Sequence, residues 1–220
     1  MFRNLLWSIK EKIVGKWEDE AYEIKSTFLE SILGREHELV MHAVIPFAVG
    51  GTLDLYYYPN YHNGTAIATK ELTNYKFNKP KNDVYNAYEL VMVTKHKIDM
   101  DSALDENPNE NTFAYDHKYI NKILNFVGRY SMEAKLNPYE TMEFPEGYDD
   151  LSGKCLILDA LSEPFFNEKT KNRKLGLMLI MEIHRDEMEY AMQQKGRDLI
   201  AMLKEKGIYP LTGVNRKSVL

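Results

Sequence analysis

The chain has 220 residues, 44% of them apolar and 12% aromatic, which is enough to bury one sizeable core and excludes a disordered composition. A formal net charge of −5 disfavours nonspecific nucleic-acid binding, because phosphate contacts need a surplus of Lys and Arg, and it favours a basic partner. A single cysteine, Cys155, has no internal disulfide partner, and no stretch has the length or apolarity of a membrane span; the expected setting is cytoplasmic, with no membrane role.

The opening MFRNLLWSIKEKIVGKW carries Ile9, Ile13 and Trp17 at helical spacing and lacks the unbroken apolar centre of a signal peptide. Residues 18–33 place Ala21, Ile24, Phe28, Leu29 and Ile32 on one helical face, with Gly34 at the end. HELVMHAVI (37–45) has strand composition, and Val49-Gly50-Gly51-Thr52 reads as a hairpin turn into LDLYYY (53–58). A second turn at 59–64 leads to TAIATKEL (65–72), and YELVMVTK (88–95) is a fourth strand. Asp, Asn, Glu and Pro dominate the loop between Lys97 and Asp116, and a long helix follows over 116–136, stopped by Asn137-Pro138. KCLILDAL (154–161) and LGLMLIMEI (175–183) are further strands. His184 then stands at the N-cap and Glu187 at the N3 position of a helix with Met188, Ala191 and Met192 on one face, and beyond Gly196 a second piece carries Leu199, Ile200, Met202 and Leu203. The tail 209–220 is expected to be extended.

Candidate chemistry is sparse. None of the six histidines forms an H-x-x-x-H or H-x-H pair, so the spacings that hold zinc are missing and neither metal nor cofactor is expected. His184-Arg185-Asp186 matches the kinase H-R-D triplet by chance, since the glycine-rich loop and D-F-G are missing. Cys155, flanked by aliphatics, reads as a core residue. Asp54 and Glu89 are the one carboxylate pair suited to acid–base work, if they meet across a cleft with a histidine. The strongest asymmetry is acidic: Glu140, Glu143, Glu146, Asp149 and Asp150 fall in a run without Lys or Arg, and Asp105, Glu106 and Glu110 lie in the earlier loop. Such runs read either as solvated loops or as a landing surface for a basic protein. Tyr57 and Tyr61, from the cluster Tyr56–Tyr61, are candidate aromatic anchors.

Five motifs in order resemble the suppressor-of-fused (SUFU) domain family: LDLYYYP (53–59), GTAIATKELTN (64–74), YELVMVTK (88–95), the strand–helix–helix run 175–208, and the ending Tyr209-Pro210 with Asn215-Arg216-Lys217-Ser218-Val219. The resemblance runs from about Gly34 to the end. Lys70-Glu71-Leu72 departs from it, standing where the animal proteins have a Gly-Met pair, and the chain is too short for their second domain. It implies an α+β single domain over 1–220, a mostly antiparallel sheet flanked by helices, with an N-terminal helical segment 1–33, a core of about 34–208 and the tail 209–220. It also implies a protein-binding role without catalysis, and for bacterial single-domain members an immunity protein that occludes a basic toxin domain. A sheet-edge peptide adaptor and a metal-dependent hydrolase are the alternatives.

Overall fold

The computed structural model describes residues 22–74, 79–103, 105, 107–167 and 174–220. The segment 1–21, where the sequence predicts a first helix, and Glu106 lie outside the described residues. Helix α1 covers 22–33. Seven strands follow: β1 (Val40–Met41), β2 (Leu55–Tyr61), β3 (Gly64–Ala68), β4 (Ala87–Thr94), β5 (Thr141–Glu143), β6 (Cys155–Ala160) and β7 (Leu175–Ile183). Helix α2 (Phe113–Glu133) separates β4 from β5, and α3 (Arg185–Tyr190) and α4 (Gly196–Glu205) follow β7.

The strands form one sheet in the order β1-β2-β3-β4-β7-β6-β5, antiparallel except where β4 lies parallel to β7. Period-two alternation divides each strand between two cores. Leu55, Tyr57, Tyr88, Leu90, Met92, Leu156, Leu158, Met178 and Ile180 face α2, whose Ile120, Ile123, Leu124 and Val127 cover them. Tyr56, Tyr58, Val91, Val93, Ile157, Leu177, Leu179 and Met181 face the other way, under Phe28 and Leu29 of α1 and Leu199, Ile200 and Leu203 of α4. Helices on both faces make this an α+β three-layer fold.

Several boundaries differ from expectation for local reasons. The strand expected over 37–45 shrinks to two residues, because Ala43 gives its N–H to the Asp54 side chain at 2.8 Å and Pro46 opens a 3-10 turn, Phe47–Val49. Val49–Thr52 is not a hairpin turn. Gly51 is pressed against Ile45, where a Cβ would stand 1.6 Å from the carbonyl oxygen, and Arg129 of α2 donates to the Gly50 carbonyl at 2.8 Å. Helix α2 starts three residues early, at an N-cap, Thr112, whose hydroxyl accepts from the Tyr115 N–H at 3.2 Å. The α3–α4 break falls at Gln193 and Gln194, the latter at φ 65, and not at Gly196. Gly196 is needed for a different reason: a Cβ there would lie 2.2 Å from the Tyr139 carbonyl oxygen, so only glycine lets α4 begin against the approach to β5.

Two buried carboxylates tie the layers together. Glu89 of β4, fully buried, accepts from the hydroxyls of Thr69 and Thr73 (both 2.7 Å) and from the N–H groups of Leu72 (3.1 Å) and Thr73 (3.0 Å). The Lys25 ammonium of α1 lies 3.9 Å away, bonded to the Lys70 carbonyl and the Asn74 side chain. Glu187, also fully buried, receives Arg216 at 2.6 and 2.7 Å, the His184 N–H at 2.9 Å and the Val219 N–H at 2.9 Å, strapping the tail to the start of α3. His184 and Glu187 stand in the capping-box positions expected of them, and the His184 ring also meets the Arg216 carbonyl at 2.9 Å.

Two expected outcomes follow from these clamps. Glu89→Ala orphans four donors and a buried ammonium, and chemical denaturation should show a loss of about 3–5 kcal/mol; a loss below about 1 kcal/mol would show that the 69–74 loop holds itself. For Glu187, burial by itself raises the carboxyl, but the Arg216 guanidinium and the two backbone N–H groups hold it below the usual value of 4.5. A depressed folded value means that this stabilisation is complete above about pH 4.5 and disappears as pH falls through the lower folded value. The protection factor of the Val219 amide, its exchange rate taken relative to the intrinsic rate at each pH, should therefore fall on acidification in that window, and Arg216→Met should remove most of that change.

Candidate functional site

Strand β5 ends the sheet and, among the described residues, pairs only with β6. It begins late because Asn137-Pro138 stops the chain after α2, Tyr139 sits at φ 72, and Glu140 accepts from the Asn137 N–H (2.8 Å) and side-chain amide (2.9 Å). The Leu158 N–H donates to the Glu140 carbonyl at 3.0 Å and the Phe144 N–H to the Lys154 carbonyl at 3.0 Å. Strand alternation therefore turns the N–H and C=O of Thr141 and Glu143 away from β6, as an unpaired edge.

A groove of about 670 Å³ runs along that edge. Phe126 and Tyr130 of α2 form one wall, Ala191, Met192 and Gln194 of the α3–α4 kink form the other, and Thr141, Met142 and Glu143 line it. Met192 is 67% exposed and Tyr130 46%, which places adaptable and aromatic contact area on opposite sides of the edge. Phe126 also bounds a smaller hollow of about 230 Å³ lined with Lys122, Arg129, Tyr148, Asp149 and Asp150. The Phe126 and Tyr148 rings meet edge to face, 5.0 Å between centroids.

The acidic candidates separate into two groups. Glu140, Glu143, Glu146, Asp149 and Asp150 are all exposed in the segment from just before β5 to β6; Glu140 and Glu143 border the groove, and Asp149 and Asp150 the hollow. Glu143 is paired with Arg185, whose hydrogen bonds hold its carboxyl below the ordinary range. Asp149 and Asp150 share Lys122, at 2.9 and 2.6 Å, and the Lys122 hydrogen bond holds Asp149 low in the same way. Asp105 and Glu110 are exposed but precede α2, anchored through Ala103, whose carbonyl lies 3.1 Å from His117 Nδ1. The 21 residues of α2 span about 30 Å, so these acids stand far from Glu140 at the other end of the helix.

Tyr57 is not a surface anchor. It is fully buried, with its hydroxyl 2.8 Å from His117 Nε2, because both faces of the sheet are covered and alternation exposes neither. Tyr61 is half-buried at the end of β2, its ring against that of His62.

The carboxylate pair weighed for acid–base work does not converge on a cleft. Asp54 meets His42 at 2.7 Å on the surface, whereas Glu89 is buried and spends its oxygens on Thr69, Leu72 and Thr73. Between them lies Glu71, pushed up to about 7 by burial and by the charges of Asp54 and Glu89. Cys155 is buried, and burial raises its thiol away from the reactive thiolate. Sequence reasoning missed β5 and with it the groove. The only local signal is the alternation of Tyr139-Glu140-Thr141-Met142-Glu143, too short to separate a strand from a loop.

No curated protein matches the chain. Among solved structures, a chain described as from the Sufu-Fu complex crystal structure superposes with a TM-score of 0.61 at 13% identity, covering 90% of this chain and 92% of that one. The likeness shows a shared fold. Residues 51–217 match the Suppressor of fused protein (SUFU) family, a span that holds every strand from β2 to β7, both buried carboxylates and the groove. The chain belongs to the SUFU family.

Proposed function

We propose that the chain is a non-enzymatic protein-binding module, an immunity protein that occludes a basic toxin domain, and that its contact face is the groove along β5. One observation carries this reading: an unpaired strand edge with an aromatic wall, a methionine wall and an acidic border. An extended segment of the partner would add a strand to Thr141 and Glu143, with alternate side chains directed to Phe126 and Tyr130 on one side and to Met192 on the other. Glu140, Glu143, Glu146, Asp149 and Asp150 would speed the encounter with a positive surface, an effect that salt weakens. The assembly named in the solved relative's description, a Sufu-Fu complex, is also one of protein with protein.

The sheet-edge and toxin-occlusion readings use the same face and differ in how much of the partner is bound. A short peptide that competes for the groove favours the first, and a requirement for a folded basic domain favours the second.

Thr141→Pro tests the face. The Thr141 N–H points away from β6, so proline there removes an outward donor and leaves the β5–β6 ladder intact. Calorimetric titration with a basic toxin domain that wild type binds should show at least about tenfold weaker binding, with thermal unfolding little changed. Charge reversal of Glu140, Glu143 and Glu146 should weaken binding and flatten its salt dependence. Unchanged affinity in both variants removes this face from the function.

A further inference from the structure

The acids on the proposed face are not free carboxylates. Lys122, on the exposed side of α2, bonds both Asp149 (2.9 Å) and Asp150 (2.6 Å), and Arg185, at the start of α3, grips Glu143 with both terminal nitrogens. Three of the five acids therefore already hold a cation from the chain itself. Both cations remain accessible: the Lys122 side chain is 36% exposed and that of Arg185 53%.

We propose that Lys122 and Arg185 act as resident competitors at the interaction face, occupying Asp149, Asp150 and Glu143 until a partner's arginines displace them. This inference rests on the proposed interaction face and concerns how that face selects its partner. Exposed ion pairs of this kind add little net stability, so exchange is inexpensive, but it is an exchange and not a simple gain of contacts. A partner must present cations that do better than the residents.

At Asp149 and Asp150 the resident is a lysine, a compact point charge, and the same hollow is walled by Phe126 and Tyr148. A guanidinium can match a carboxylate with two parallel hydrogen bonds and also stack on an aromatic face, neither of which an ammonium does as well. The residents therefore set a threshold that an arginine-bearing segment passes more readily than a lysine-bearing one. They also keep the face partly neutralised while it is empty, which limits capture of unrelated basic proteins.

The test uses the full chain and two extended probes, acetyl-(Arg-Val)4-amide and acetyl-(Lys-Val)4-amide, with binding followed by fluorescence anisotropy at low ionic strength. Lys122→Ala/Arg185→Ala is compared with Lys95→Ala/Lys97→Ala, which removes the same charge from exposed positions at the far end of β4 and its following loop. The first double variant should bind both probes about five- to twentyfold more tightly than wild type, and the arginine preference of wild type should shrink. The control pair should change binding by no more than about twofold. If the two double variants bind alike, or if Lys122→Ala/Arg185→Ala binds no better than wild type even where wild type binds nothing, the competition is overturned. A separate arm, Glu143→Gln/Asp149→Asn/Asp150→Asn, addresses the face. If that triple variant binds the probes as wild type does, the interaction-face reading falls; if it loses them while the resident-cation variant gains nothing, only the competition falls.

Discussion

The carboxylate of Glu89 is the point on which the rest of the structure depends. A buried charge in the middle of a sheet is tolerated only when hydrogen bonds replace its water, and here four donors from one loop do so. The consequence reaches beyond that loop. Thr69 uses its hydroxyl twice, donating to Glu89 and accepting from the Leu90 N–H at 3.0 Å, which locks the end of β3 to β4. Lys25 carries the same network into α1, and neighbouring Lys70 pairs with Glu36 and lies 4.4 Å from the Tyr56 ring centroid. One polar cluster thus joins the helical layer to the first half of the sheet, where an apolar contact would permit sliding.

The two clamps give the fold a division of labour. Glu89 fixes the β3–β4 side and Glu187 fixes the tail over the start of α3, while Thr212 of the tail donates from its backbone to the Val93 carbonyl at 2.7 Å and accepts at its hydroxyl from the Glu182 N–H at 2.9 Å. Among the described residues, the β5 edge has no comparable buried clamp on its outer side. It is held by β6, by the Asn137–Glu140 turn and by ion pairs at the surface, which leaves its outward N–H and C=O groups available. A rigid frame with an unpaired edge is the arrangement that strand addition requires.

Much of this was legible from residues alone. β2, β4, β6, β7 and α2 fall within a few residues of where composition and periodicity place them, because each is long enough for its pattern to dominate local choices. The motif resemblance also acquires a physical meaning. Thr69 and Thr73 of GTAIATKELTN and Glu89 of YELVMVTK form one hydrogen-bonded unit. The failures are equally specific. Tyr57, expected as a surface anchor, is core, because alternation alone does not reveal whether one face or both are covered. Gly196 suggested a helix break, since the Tyr139 carbonyl that requires it lies 57 positions earlier in the chain.

By itself the sequence determined the class of the fold, its long elements, the acidic character of the segment between β5 and β6 and the family to which the chain is similar. The first three follow from short-range spacing and composition, which any stretch of chain carries within itself, and the family from the resemblance of five motifs in order. Only the tertiary structure decided that β4 and β7 run parallel, that β5 lies at an edge of the sheet, and that Lys122 and Arg185 already occupy the acids. Each of those facts joins segments from about 30 to 90 residues apart, and no local pattern encodes which distant surfaces meet when two cores close on one sheet.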